Sequence, residues 1–216
     1  MDEGMDEEQR IATREFWDER YAGADRIWSG NPNRRLVEQV EGLRPGTALD
    51  VGCGEGADVV WLARHGWQAV GVDVSQVALD RGAEAAERNG VARQCRWIQA
   101  DLGDESDLAA LPQADLVTVH FLHLPEPAFS RVYAAAAAAV CPGGTLLVGA
   151  HHPADVGTGL RNDRLAHLLF GPERVTALLD PAEWDIQVAD APTRPETRDG
   201  VTHTVTDTVV RAVRRA

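Results

Sequence analysis

The sequence predicts an α/β fold: a doubly wound sheet of seven strands, mostly parallel, with an antiparallel terminal pair and helices on both faces. Three observations predict it. From Thr47 onward, short apolar runs alternate with helical patterns, as in a parallel sheet wrapped by helices. The first run leads straight into a glycine-rich turn, Gly52-Cys53-Gly54-Glu55-Gly56. The last two apolar segments, Trp184 to Val188 and Thr202 to Val210, have strand periodicity and no helix between them, so they pair antiparallel at the sheet edge.

Strand one is Ala48 to Val51. After the glycines a helix near Ala57 to His65 puts Val59, Leu62 and Ala63 on one face, and Gly66 stops it. Strand two, Ala69 to Val72, closes at Asp73; Ser75 then caps a helix running to about Arg88, with Asn89-Gly90 as its stop. Strand three is Arg96 to Gln99, followed by a short helix near Glu105 to Leu111. Strand four, Leu116 to His120, opens into a loop with His123 and two prolines. The alanine run Ala134 to Ala139, flanked by Val132, Tyr133 and Val140, is a packed helix, because alanine is the best helix former. The Pro142-Gly143-Gly144 turn precedes strand five, Thr145 to Val148. Beyond His152 come a glycine-containing loop and a helix near Glu173 to Leu179, with a hairpin loop at Ala191 to Val201.

A length of 216 residues suits one domain, and no apolar run reaches the roughly 18 residues a membrane span needs. The start, Met1-Asp2-Glu3-Gly4-Met5-Asp6-Glu7-Glu8, is acidic where a signal peptide is basic and then apolar, so the expected location is the cytoplasm. Cys53, Cys95 and Cys141 are too scattered for a disulfide framework. A formal net charge of -13 repels phosphate backbones, and the basic clusters Arg34-Arg35 and Arg211 to Arg215 read as solvated surface. A small-molecule partner is therefore expected, with no nucleic acid and no membrane; oligomeric state stays open.

In an open α/β sheet a ligand binds outside the carboxyl ends of the strands. Gly52, Gly54 and Gly56 let the chain turn sharply and a ligand touch the backbone, and the helix behind them offers free N–H donors. Asp50 just before the glycines suits a ligand with a positive group and repels a pyrophosphate. Asp73 is placed for two ribose hydroxyls, and Asp101 with the Leu102 backbone for an adenine amine. Each acid taken singly fits a helix cap or a solvated turn equally well; three at successive strand ends favour a ligand.

Four motifs then resemble a known family. LDVGCGEG (Leu49 to Gly56) resembles motif I of class I S-adenosylmethionine (SAM)-dependent methyltransferases. VGVDVS resembles the acidic-loop motif, QADLVTVHFLHL the fourth-strand motif and CPGGTLLVGAHH the fifth-strand motif. With Trp17-Asp18-Glu19-Arg20-Tyr21 and Trp28-Ser29-Gly30-Asn31-Pro32-Asn33, the chain is most similar to the small bacterial branch near the tellurite-resistance and thiopurine methyltransferases.

The resemblance implies a Rossmann-like domain that binds SAM and releases S-adenosylhomocysteine. It divides 1–216 into an N-terminal helical lid (1–45), a cofactor-binding core (46–152) and an acceptor-side region (153–216). It implies that Asp50, Gly52, Cys53, Gly54 and Gly56 hold the methionine part, Asp73 with Val74 the ribose, and Asp101 with Leu102 the adenine. His120 and Phe121 would lie beside the transferred methyl, with Trp17, Tyr21 and Trp28 as an aromatic lid. Trp17 and Tyr21 share a helix face, a spacing that also fits plain core packing.

Four of seven histidines, His120, His123, His151 and His152, follow strands four and five, where a substrate is expected. They fit a catalytic base for a protonated acceptor, structural hydrogen bonding, or a metal; no clear carboxylate completes a metal set, so none is expected. Cys53 is assigned to packing. Gly52-x-Gly54-x-x-Ala57 also fits the fingerprint of a nicotinamide-dependent oxidoreductase, and a non-catalytic SAM-binding module is the other alternative.

Overall fold

The computed structural model describes residues 13–160, 163–198 and 200–216. The acidic N-terminal stretch and the first twelve residues of the expected lid lie outside the described residues. So do 161, 162 and 199 of the acceptor side.

Five strands run parallel: β1 (Thr47–Val51), β2 (Gln68–Asp73), β3 (Cys95–Gln99), β4 (Ala114–His120) and β5 (Val140–His151). The chain then adds β6 (Trp184–Asp190), β7 (Thr193–Arg198) and β8 (Val201–Arg214). The sheet order is β3-β2-β1-β4-β5-β8-β6, so chain order reverses between β1 and β4.

Two features differ from the sequence expectation, the hairpin loop and the Pro142-Gly143-Gly144 turn. The terminal pair itself is antiparallel at the sheet edge as expected, with β6 outermost and β8 between it and β5. In β8, Val205, Val209, Val210 and Ala212 are buried, whereas β6 buries only Trp184 and so tolerates the exposed position. The segment expected as a hairpin loop is largely an eighth strand: β7 pairs with the first half of β8 from Thr193↔Thr206 to Arg198↔Val201, rich in strand-favouring threonine and valine. Finally, Pro142-Gly143-Gly144 does not precede β5 but bulges within it, where Ala114 faces Val140 and Leu116 faces Thr145.

The helices are α1 (Arg14–Ala22), α2 (Arg34–Val40), α3 (Ala57–Arg64), α4 (Gln76–Arg88), α5 (Glu105–Ala109), α6 (Ala128–Ala138) and α7 (Pro172–Thr176). Side chains of Thr13, Asn33, Ser75 and Asp104 cap α1, α2, α4 and α5 by accepting free N–H groups. Strand alternation splits the core in two. Leu49, Val51, Val117, Val119, Leu146 and Val148 pack with Phe129 and Tyr133 of α6. Ala48, Leu116 and Leu147 pack on the other face with Leu36 of α2 and Val59 and Leu62 of α3.

The expectation that the basic clusters are solvated is overturned for two arginines. Arg35 is buried, with Nε 3.0 Å from Asp207 Oδ2 and Nη2 donating to Pro192 O at 3.1 Å, so it fastens α2 to the β7–β8 hairpin. Arg211 donates to Gln39 O at 3.1 Å. Among the described residues no helix is long and apolar enough to cross a membrane.

Candidate cofactor and acceptor site

The β1–α3 turn sits at the switch point, where β1 and β4 are neighbours and their connections leave in opposite directions. Gly52, Gly54 and Gly56 have φ of +75°, +53° and +74°, a region that favours glycine. Gly52 N and Cys53 N donate to Val72 O at 2.8 and 3.0 Å, which holds the turn against β2. A Cβ on Gly54 would stand 3.0 Å from Tyr21 Oη and 3.3 Å from Trp28 Nε1. The loop and the N-terminal aromatics are therefore in close contact.

The acids at the strand ends differ. Asp73 is buried; its Oδ2 accepts from Gly54 N at 2.8 Å and its Oδ1 from Ser75 N at 3.0 Å. Burial pushes its pKa up against the pull of those N–H groups. Asp50 accepts from Thr118 Oγ1 at 2.7 Å. Burial, then Asp58, push its carboxyl up to about 7, with His120 and Thr118 opposing and Asp73 adding to the rise. Asp101 is half-buried and accepts from Gly103 N at 2.8 Å, while its own N–H donates to Asp107 Oδ2 at 2.7 Å. Its carboxylate thus shapes a local turn. Leu102 and Val74 beside these acids are half-buried, and Val74 O accepts from Gln99 Nε2.

Tyr21 is buried and accepts from Trp28 Nε1 at 3.0 Å; the Trp17 ring is tilted over Tyr21 at 5.9 Å. Trp28 is 48% exposed, so only part of this trio is core. Two residues missing from the sequence reading hold the segment down. Glu55 Oε2 accepts from Ile27 N and Trp28 N at 3.3 and 3.1 Å, and its Oε1 lies 2.9 Å from Arg81 Nη1. Arg81 Nη2 donates to Tyr21 O and Ala24 O at 2.7 and 2.6 Å. An acid between two loop glycines was a visible signal, but its arginine partner lies on α4 and no local pattern pairs the two.

The four histidines separate. The His120 side chain is 5% exposed, with Nδ1 3.0 Å from Asp58 Oδ2, an ion pair when the imidazole is protonated. Burial lowers its pKa, but Asp58 and Asp50 overcome that and hold it above the ordinary value. His123 and His151 stack at 5.3 Å, and His151 N donates to His123 Nε2 at 3.2 Å. His152 Nδ1 accepts from Ala154 N at 3.0 Å and caps the short turn Pro153–Asp155. Phe121, with φ +54° and 37% exposed, lays its ring 4.4 Å from His151. Positive φ in a bulky residue is strained backbone of the kind that gathers at functional sites.

Asp50, Asp58 and His120 each bring a donor atom within 4.8 Å of the others, close enough to share one positive charge. The sequence reading had not seen Asp58, which is two residues beyond the last loop glycine. Burial and the neighbouring Asp73 and Asp50 push the Cys53 thiol well up, which fits packing over reactivity. Two surface depressions lie elsewhere, about 230 Å³ beside Thr47, Gln68 and Arg93 and about 430 Å³ between α5 and α6.

Residues 48–144 match the family described as "Methyltransferase domain". A ribosomal RNA small subunit methyltransferase C of Alcanivorax borkumensis is 49% identical over 70 residues, 31% of this chain and 21% of that protein. A ubiquinone biosynthesis O-methyltransferase of Coxiella burnetii is 33% identical over 119 residues, 54% of this chain and 48% of that one. The chain thus spans less than half the length of these relatives. Among solved structures, a SAM-dependent methyltransferase from Anabaena variabilis superposes with TM-score 0.70 at 14% identity, covering 97% and 96% of the two chains. TehB from Haemophilus influenzae gives 0.66 at 14% identity, over 94% and 67%. A structure described by the conversion of a disulfide bond into a thioacetal group during echinomycin biosynthesis gives 0.74 at 20%, over 94% and 91%. Residues 48–144 thus resemble a methyltransferase domain, and the strand order with its glycine turn at the switch point gives the chain the fold of these solved structures.

Proposed function

We propose that the chain binds SAM across the glycine loop and passes its methyl group to a small molecule at the carboxyl ends of β4 and β5. The observation that carries this reading is the buried acid set around a loop of positive-φ glycines. Asp50 and Asp73 flank a turn whose backbone has no side chain in the way, and both are costly to bury without a cationic or hydroxyl-bearing ligand. When bound, SAM supplies a methyl carbon on a sulfonium, open to in-line displacement. Each Asp73 oxygen already accepts one backbone N–H and has a second lone pair for a ribose hydroxyl. Asp50 faces an ammonium; Tyr21 and Trp28 exclude water, and the enzyme's main task is alignment.

On the acceptor side, Phe121 offers a ring and His123 and His151 offer imidazoles, suited to taking a proton from a phenol, hydroxyl or protonated amine near neutral pH. A small acceptor fits the net charge of -13 better than RNA does, although the relatives named for ribosomal RNA and ubiquinone differ on this point. We extend the same reading to organisation, with 1–45 as lid, 46–152 as cofactor core and 153–216 as acceptor side.

Calorimetry with SAM, S-adenosylhomocysteine, NAD and NADP tests the cofactor. Binding of SAM and its product, with silence toward the nicotinamides, is expected; tight NADP binding without SAM would overturn the reading. A methyl-transfer screen over phenols, thiols, amines and carboxylates then identifies the acceptor.

A further inference from the structure

Asp58 opens α3 directly behind the glycine loop, and its two carboxylate oxygens face different parts of the chain. Oδ1 accepts from Asn33 N at 2.5 Å. Asn33 lies within the lid region and caps α2, its own side chain accepting from Arg35 N at 2.9 Å. Oδ2 lies 3.0 Å from His120 Nδ1 at the end of β4. Asp58 and the His120 side chain are only 8% and 5% exposed. Among the described residues, His120 Nε2 and Asn33 Nδ2 have no hydrogen-bond partner. An acid in a first helical turn gains from the helix dipole, but that gain requires neither burial nor an imidazole against it.

We propose that Asp58 is a positioning residue that links closure of the lid over the glycine loop to the charge on His120. With His120 an imidazolium, Asp58 is neutralised in place and keeps hold of the Asn33 amide. When the ring loses its proton, Asp58 is a buried acid beside Asp50 with no counter-charge. Such a group is relieved when water reaches it, which here means release of Asn33 and the lid behind it.

The charged groups facing the ring are Asp58 from α3 and Asp50 from β1, with Asp73 of β2 behind Asp50. Arg35 of α2 borders the same glycine, Gly149, but its guanidinium is held by Asp207 and Glu38. Asp58 and Asp50 raise the imidazolium's pKa, so the link is lost as pH rises through that raised value.

The proposal rests on the SAM reading only in naming what the lid covers, and its test needs no ligand. Amide protection of residues 27–33, corrected for intrinsic exchange, is followed from about pH 6 to about pH 9 alongside the His120 imidazole nitrogen shifts. In the wild type, lid protection is expected to fall at least about fivefold as His120 deprotonates. In Asp58→Asn, which keeps an oxygen for Asn33 N but loses the charge, the His120 midpoint should fall and the lid should lose its pH dependence. A lid indifferent to the wild-type His120 titration overturns the proposal, and so does an unmoved midpoint in the variant. A stoichiometric divalent ion whose removal, and not pH, loosens the lid also overturns it. The wild-type profile decides even where the variant fails to fold. SAM binding with a flat lid profile sinks this proposal alone; lack of SAM binding with a pH-linked lid sinks the cofactor reading alone.

Discussion

Asp50→Asn is expected to stabilise the unliganded protein above neutral pH while removing its hold on SAM. Burial and then Asp58 push the Asp50 carboxyl up to about 7 from an ordinary 3.8, against His120 and Thr118. Between those two values the unfolded chain releases a proton that the folded one retains, so stability falls as pH rises through that window and is flat above it. Roughly three pH units at about 1.4 kcal/mol each give an upper bound of about 4 kcal/mol. Loss of Asp50 also removes a charge that supports His120, so about half of that, ~2 kcal/mol, is the expected gain. Asparagine keeps an oxygen for Thr118 Oγ1, which limits other losses. Urea unfolding should show the gain at about pH 8 and almost none at about pH 3, where both states are mostly protonated. Calorimetry should show SAM affinity down at least about tenfold. A variant that is less stable at pH 8, or equally shifted at both pH values, would refute the reasoning.

Three further substitutions probe other parts of the molecule. Asp73→Ala removes the acceptor of Gly54 N and Ser75 N and should weaken SAM binding by about tenfold or more; unchanged affinity would mean that the ribose assignment is wrong. Arg81→Ala frees Glu55 and two carbonyls at the end of α1, so amide exchange at Ile27 and Trp28 and SAM dissociation should both quicken about three- to tenfold. Equal rates in variant and wild type would show that this contact does not hold the lid. Phe129→Ala empties a fully buried site stacked 4.2 Å from Tyr133 and edge-on to Phe170, with Arg174 3.9 Å from its ring centre. Thermal or urea unfolding should register about 3–5 kcal/mol, and a loss under about 1 would mean that α6 is not packed as described.

The alternation of strands and helices was legible because β1, β4 and β5 are buried on both faces and therefore read as unbroken apolar runs. Neighbours were harder. Periodicity reports which face of a strand is buried but not which strand lies beside it, so the edge pair was legible as a pair while the order within it, β8 inside and β6 outermost, was not. At Pro142-Gly143-Gly144 the turn chemistry was right, with Gly143 at φ +79°, yet the sheet pairs on both sides of it and absorbs the turn as a bulge. In the site, acids at strand ends were visible because chain position alone sends them to one rim of the sheet. The burial of His120 against Asp58 and of Arg35 against Asp207 was not visible, since each depends on a partner far along the chain. Histidines that look like one cluster in sequence become an interior ion pair, a stacked pair and a turn cap once the backbone directs them apart.

The grouping of the acids also favours one of the two cofactors that the glycine spacing alone would admit. Asp50, Asp58 and Asp73 are buried, and Asp58 and Asp73 both raise the pKa of Asp50, so the rim carries negative potential before any ligand arrives. A pyrophosphate brought to that loop would add to the repulsion in a poorly screened setting, at a cost the free N–H groups of α3 would have to overcome. A ligand with an ammonium and a sulfonium relieves the same repulsion, and Asp50 becomes easier to ionise as it binds. His120 is the protein's own partial answer to the crowding, an imidazole whose pKa Asp58 and Asp50 raise. Under the proposed reading, the positive charge of SAM would complement this acid set, with the loop glycines leaving the backbone open to it.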